Sequence, residues 1–348
     1  MIYVTYNTRF CMRYAIWNNK GGVGKTFLTF VIACEYAVKH TDRNVVMLDL
    51  CPQANLSEIV LGGNKKGATA LSKLIASHKT IGGYFDDRIS NPQKPTGNEA
   101  SFLIKDLKAV NPSLPPNLFI VAGDPSLEIQ AQAINQISAQ TLPINSWANV
   151  HNWVRNLIDA IETKLSNSVF FIDCNPSFSS YTELAILAAE RLIIPCSADG
   201  SSARAIDNVG RLVYGTGNAN EYGEAAFHVR AVKNNFELPK IHIVTLNRST
   251  QYDKKASRSF DAMFKEVKRR VNNLKKTGKK IVFSMDDENR FLDMPDAHSV
   301  AVVCSHKGVP LSKLEVGRRH LVHDAQVQVN KTPYRRYKEG LDKLVLNL

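Results

Sequence analysis

Residues 14–26 read Tyr14-Ala15-Ile16-Trp17-Asn18-Asn19-Lys20-Gly21-Gly22-Val23-Gly24-Lys25-Thr26. A short apolar run ends in a glycine-rich loop, and a helical pattern follows from about Lys25 to Val38. A strand, a glycine loop and a helix in that order form a cradle for phosphate. The glycines let the backbone turn tightly and aim successive N–H groups at phosphate oxygens. The following helix adds its positive N-terminal end. Lys25 is placed to reach the β- and γ-phosphates of a nucleotide, and the Thr26 hydroxyl to ligate Mg²⁺. The expected nucleotide contacts are Gly21, Gly22, Val23, Gly24, Lys25, Thr26 and Phe27.

Outward from this loop, short β-rich runs alternate with helical patterns. Asn44–Asp49, Leu118–Ala122, Val169–Asp173, Arg191–Cys196, Ile241–Leu246, Ile281–Ser284 and Val300–Cys304 read as strands. Trp147–Leu165, Tyr181–Ala189 and Phe260–Leu274 read as helices. Such alternation predicts an α/β fold with a mostly parallel, buried sheet flanked by helices on both faces. No internal repeat is visible. Residues 77–116 carry Gly, Pro, Asn and Asp clusters with weak periodicity, and read as a surface insertion that is partly helical at most. One domain over residues 1–348 is expected.

Composition narrows the class. Of 348 residues, 44% are hydrophobic and 22% charged, as in a soluble globular protein. No apolar run approaches the roughly 18 residues of a membrane span. The N-terminus lacks the pattern of a secretory signal. Six cysteines without a CxxC pair exclude a disulfide scaffold, argue against structural zinc and fit a reducing, cytoplasmic compartment.

Two strand-end acids matter next. Asp49 and Asp173 each close a predicted strand, which delivers a carboxylate to the carboxyl edge of the sheet where ligands bind in open α/β folds. Asp173 is the candidate for the Mg²⁺ shell, through water.

The loop departs from the pattern GxxxxGK[ST]: Asn19 stands where its first glycine would be, and Lys20 follows. The form KGGVGKT resembles the deviant Walker-A motif of the ParA/MinD family of P-loop ATPases. Three other segments fit the same family. Val46–Asn55 (VMLDLCPQAN) resembles its strand and loop DxDPQxN, Phe170–Ser177 (FFIDCNPS) its Walker B segment, and Val329–Pro333 with Tyr337-Lys338 its closing helix. The last predicts a C-terminal helix over about 333–346. The match is weakest across 77–116.

The resemblance implies ATP and Mg²⁺ as cofactors. It implies a homodimer formed on ATP, in which Lys20 reaches the phosphates held by the other subunit. It also implies nonspecific binding of double-stranded DNA and a ParB-like centromere-binding or cargo-adaptor partner. The role implied is partition of a plasmid or chromosome on the nucleoid. Asn247 matches a family position that contacts adenine, although a plain turn asparagine fits equally well. One position breaks the pattern. Where the second acid of DxDPQ handles the attacking water, this chain has Cys51, and a thiol is mostly protonated at neutral pH. Three readings of Cys51 stand: slow hydrolysis, a packing substitution in an active enzyme with Asp49 the nearest replacement, or a redox-sensitive thiol.

The charge carries its own signal. The net charge is +12, and residues 253–280 hold eleven basic against three acidic residues, which accounts for eight of those charges. Phe260, Met263, Phe264, Val267, Val271 and Leu274 trace one stripe of a helix over about 253–276. Lys254, Lys255, Arg258, Lys265, Lys268, Arg269, Arg270, Lys275 and Lys276 border it and form the candidate DNA surface. About thirteen residues precede the first strand, so no N-terminal helix-turn-helix domain is expected. Three other functions compete. A MinD-like regulator would need the C-terminal helix to lie on a membrane, which VNKTP and the PQxN loop disfavour. An iron–sulfur reductase component would need a partner for Cys174. A nucleoid-tracking positioner of non-DNA cargo fits every feature above.

Overall fold

In the computed structural model the described residues are 11–197, 199–217, 223, 225–249, 251–252, 255–256, 258–275 and 283–348. Among the described residues the main sheet has eight strands. They are β1 (Met12–Ile16), β2 (Asn44–Leu50), β3 (Leu103–Ile104), β4 (Leu118–Val121), β5 (Ser168–Cys174), β6 (Arg191–Cys196), β7 (Lys240–Ser249) and, after the short β8 (Gln251–Tyr252) and β9 (Lys255–Ala256), β10 (Phe291–Pro295). Their order is β10-β7-β6-β1-β5-β2-β4-β3, and only β3 runs antiparallel to its neighbour. A separate hairpin joins β11 (Arg319–Val322) to β12 (Ala325–Gln328).

A parallel sheet must bury both faces, and this one does so with alternating side chains. Ala15, Trp17, Val46, Leu48, Phe170 and Ile172 enter one core; Tyr14, Ile16, Val45, Met47, Val169 and Phe171 enter the other. The first core is closed by helices that include Ile81–Ser90, Leu127–Ser138, Trp153–Lys164, Ser180–Ala188, Gly200–Tyr214 and Arg258–Lys275. The second is closed by helices that include Lys25–Lys39, Asn55–Val60, Ser299–Lys307 and Lys331–Leu346. The expected fold class is therefore the observed one.

Several expected elements differ. Val300–Cys304 lies inside the helix Ser299–Lys307, not in a strand. The strand that does occur there is β10, at the sheet edge beside β7. Of the expected strand Ile281–Ser284, residues 281 and 282 lie outside the described residues, and Phe283 makes one bridge to Ile241. Residues 77–116 are not a surface insertion throughout. They supply β3 to the sheet and bury Tyr84, Phe85 and Phe102 in the first core. Trp147–Leu165 is two helices, Ser146–His151 and Trp153–Lys164. The basic helix starts at Arg258, after the β8–β9 hairpin, and the C-terminal helix starts at Lys331.

The C-terminal helix buries Tyr337, Leu341, Leu344 and Val345. Lys338 Nζ donates to Glu35 Oε1 at 2.8 Å and to Asp342 Oδ1 at 2.7 Å, which ties this helix to Lys25–Lys39 behind the phosphate loop. Its apolar stripe is thus spent on the fold.

Candidate functional site: the carboxyl edge of β1, β2 and β5

β1 lies between β5 and β6, so its loop opens at the middle of the sheet edge. Gly22 and Gly24 have φ of 73° and 81°, where a side chain would strain the turn. The turn sends the chain directly into the helix at Lys25. Lys25 Nζ is buried and donates to the carbonyls of Asn18 (3.0 Å) and Lys20 (2.8 Å), folding back over its own loop. Burial lowers its pKa, and the nearby Asp173 carboxylate opposes that shift.

Parallel pairing of β2 with β5 sets Asp49 directly beside Asp173. Asp49 is 0% exposed and Asp173 is 1% exposed, so two carboxyl groups share one buried corner. Burial raises both pKa values above the ordinary carboxylate range, and the charge of Asp49 raises that of Asp173 further. Their hydrogen bonding separates their roles. Asp49 accepts from the backbone N–H of Cys51 (3.2 Å) and of Ser57 (2.9 Å) and from Ser57 Oγ (2.7 Å). Both of its oxygens are engaged in holding the loop after β2. Asp173 Oδ1 accepts from Thr29 Oγ1 at 3.4 Å, while its buried Oδ2 has no hydrogen-bond partner among the described residues. A buried carboxylate oxygen left over, beside two threonine hydroxyls, fits the water shell of a hard divalent cation.

Cys51 lies in the same corner and is 8% exposed. Burial, with Asp49 and Asp173 adding repulsion, pushes its thiol up to about 12. At neutral pH it is a neutral thiol.

Lys20 turns away from the loop. Its Nζ donates to Ser197 Oγ at 2.7 Å and pairs with the carboxylate of Asp199. Asp199 also accepts from the N–H groups of Ser201 (3.1 Å) and Ser202 (3.0 Å), capping the helix Gly200–Tyr214. Burial alone would raise the Asp199 pKa; the bonds from Lys20, Ser201 and Ser202 hold it well below the usual range. Asn247 Nδ2 donates to the carbonyl of Val23 at 2.7 Å and braces the phosphate loop.

The expected residues Lys20, Lys25, Thr26, Asp49, Cys51, Asp173 and Asn247 therefore meet at one edge. The described basic side chains, Lys265, Lys268, Arg269 and Arg270, make their contacts elsewhere. Lys265 pairs with Asp261 at 2.9 Å, Arg269 with Glu266 at 2.6 Å, and Arg270 with Glu266 at 2.7 Å and also with Asp207. Arg270 thereby clamps the basic helix to Gly200–Tyr214. Lys268 lies over the rings of Phe264 (4.7 Å) and Phe291 (5.5 Å). Lys255 lies in β9, and Arg258 and Lys275 end the helix, while Lys254 and Lys276 lie outside the described residues. Ser57, Thr29 and the Ser197–Asp199 pair are site residues that sequence reasoning passed over.

Comparison with known proteins agrees with this geometry. The family model for the CobQ/CobB/MinD/ParA nucleotide binding domain matches residues 14–282. The apo structure of McdA from Cyanothece is similar over 95% of this chain and 100% of that one, at a TM-score of 0.60 and 15% identity. An ATP complex of a McdA variant from the same source matches over 95% and 96%, with a TM-score of 0.55 and 14% identity. A Corynebacterium diphtheriae protein matches over 85% and 97%, with a TM-score of 0.53 and 18% identity. At such identities the likeness is one of fold. No curated protein sequence matches.

The carboxylate pair sets a pH dependence. A carboxylate whose native pKa is raised binds more protons folded than unfolded, so stability falls as pH climbs from about 4 through neutrality. Asp173→Asn removes one of the two charges. The variant is expected to unfold a few degrees higher than the natural protein at pH 8 without nucleotide, with the gap closing toward pH 4. Thermal unfolding across that range checks this; parallel profiles would refute the buried-charge account.

Proposed function

The chain belongs to the CobQ/CobB/MinD/ParA nucleotide-binding family, and from that premise we propose that it is a ParA-like ATPase that dimerises on Mg-ATP and binds DNA without sequence preference. The observation that carries this reading is the direction of Lys20. A loop lysine that folds back, Lys25, serves the nucleotide of its own subunit. Lys20 leaves the loop for Ser197 and Asp199, and in this reading it exchanges that ion pair for phosphates held by another subunit. In this reading ATP lies along the loop N–H groups, Thr26 and the water shell of Asp173 hold Mg²⁺, and Lys20 of each subunit closes on the partner's phosphates. A cation supplied in trans makes dimerisation depend on the triphosphate. Dimerisation doubles the basic surface and turns nucleotide state into DNA affinity. A ParB-like or cargo-adaptor protein completes the cycle by stimulating hydrolysis on the nucleoid.

Hydrolysis is proposed to be slow. Positioning the attacking water is a large share of what phosphoryl transfer takes from protein. The protonated Cys51 thiol is a poor group for it, and Asp49 has both oxygens occupied by the loop after β2. The ATP dimer would be long-lived. Among the described residues no helix is long and apolar enough to cross a membrane, and the C-terminal stripe that a membrane-lying helix would use is buried.

Lys20→Ala is expected to keep ATP affinity within a few-fold while losing the ATP dimer. Light scattering with a nonhydrolysable analogue decides this, and a dimer of normal stability in the variant rejects a role in trans.

Restoring the acid, Cys51→Asp, should raise kcat with little change in ATP affinity, because the group acts on the transition state. Such groups contribute about 10²–10⁴-fold, so even partial rescue is measurable in a steady-state assay. A natural protein that already turns over fast, with no gain from the substitution, makes Cys51 a packing residue.

For DNA, the variant to use is Lys265→Glu with Arg269→Glu, because Arg270 also holds the fold together. Binding should weaken for all sequences alike, and the log–log salt slope should shrink by about 0.9 for each phosphate left without its cation. An unchanged slope by fluorescence anisotropy would mean that this helix is only a solvated face.

A further inference from the structure

A second basic surface lies at the β3 edge of the sheet. From Ile59 to Phe85 the chain carries Lys65, Lys66, Lys73 and Lys79 and no Asp or Glu. Three of these border a groove of about 690 Å³ between the helix Asn64–Ala76 and the segment running from β3 into the helix Leu107–Val110. The floor is apolar: Ala70 and Leu74 from the first helix face Ile104, Ala109 and Val110 across the gap. Ala70, Leu74, Ile104 and Val110 are only partly buried. Lys65, Lys66 and Lys73 form the rim, are exposed, and have no ion-pair partner among the described residues.

The arrangement is costly for the chain alone. Lys65 and Lys66 stand in the first turn of their helix, where the macrodipole is already positive, and that turn has neither an acidic residue nor a side-chain cap. An acidic occupant removes both the exposed apolar area and the unbalanced charge.

We propose that this groove is the docking site for an acidic amphipathic helix of a partner protein. Its apolar side chains, at i, i+3, i+4 and i+7 spacing, would sit on Leu74, Ile104 and Val110, and its flanking Asp and Glu would meet Lys65, Lys66 and Lys73. Charge complementarity and the apolar floor together select this occupant. A DNA backbone finds use for the lysines and none for the floor, and a second copy of this chain brings its own +12 to a positive rim. The groove lies at the opposite edge of the sheet from β10, against which Phe264 of the basic helix packs at 6.2 Å. A partner seated here leaves the proposed DNA face open. Docking at this groove does not depend on nucleotide chemistry.

The probe is a fluorescent helical peptide about five turns long, with Leu along one face and Glu elsewhere, titrated against the full chain. Its controls are a scrambled peptide of the same composition, the same peptide with Lys for Glu, and a short DNA duplex. The Leu/Glu helix is expected to bind, and the scrambled and Lys peptides to bind at least about tenfold more weakly. Lys66→Glu with Lys73→Glu should cost about tenfold or more, and so should Ala70→Trp, which fills the floor without touching charge. A benzophenone on the peptide's apolar face should label residues 64–76 or 103–110 of the natural protein, a readout that needs no variant. The proposal falls if peptide affinity ignores the order of the apolar residues, if both variants bind as the natural chain does, or if labelling lands elsewhere. It falls equally if the lysine reversal abolishes duplex binding and leaves the peptide unaffected, which makes the surface a nucleic-acid site.

Discussion

Two buried carboxylates that end neighbouring strands in register constrain the rest of this sheet edge. Asp49 and Asp173 repel each other in a low-dielectric corner, and each must be compensated locally. Asp49 draws its compensation from the chain itself. The N–H groups of Cys51 and Ser57 and the Ser57 hydroxyl converge on it, so the loop after β2 takes its shape from that carboxylate. Ser57 Oγ in turn accepts from the N–H of Gly123 at 2.7 Å, and a Cβ on Gly123 would press to 2.8 Å from the Asp49 carboxyl group. Asp173 is compensated only in part, by Thr26, Thr29 and the charge of Lys25. The uncompensated remainder keeps the Asp173 pKa raised, beside a lysine and loop N–H groups suited to an anion. In the proposed function a metal–polyphosphate pair answers both at once.

The same corner gives a reason for the thiol at position 51. A third carboxylate there would add to a cluster whose two members already ionise with difficulty. Cys51 packs as a small neutral group and adds no third charge there; in the proposed function, the water-handling acid is what that neutrality gives up.

Much of this was legible in the sequence, because central parallel strands are apolar on both faces and stand out as Val-, Ile- and Phe-rich runs. The errors fall where that signal weakens or misleads. Val300–Cys304 has the composition of a strand, yet it continues as a helix to Lys307, and a short apolar run cannot tell the two apart. β10 is hidden in the sequence because Asp293 and Pro295 interrupt it, and an edge strand tolerates both. Residues 77–116 read as irregular because β3 is only two residues long, while Tyr84, Phe85 and Phe102 fill the core from short elements. At the site, the loop and the strand-end acids could be read because backbone chemistry fixes their spacing. The bracing role of Asn247 could not, because it depends on how close β7 comes to Val23. Asp199 carried a usable signal: Asp-Gly-Ser-Ser after an apolar run is a helix start, and it lies at the same sheet edge as Asp49 and Asp173.

Charge was the least completely legible feature, because a count along the chain ignores pairing. The dense run at 253–280 stands out, yet three of its described cations, Lys265, Arg269 and Arg270, already face Asp261, Glu266 and Asp207. The sparser lysines at 65, 66 and 73 have no ion-pair partner among the described residues. Exposed pairs of this kind are worth only about 0–1 kcal/mol, so Lys265 and Arg269 can exchange a carboxylate for a phosphate at little cost. The displaced Glu266, however, stays near the phosphates and repels them. A nucleic-acid contact built on such a helix is weak, insensitive to sequence and quickly reversed. In the proposed function, these are the properties needed to release and rebind a track each time the nucleotide state changes.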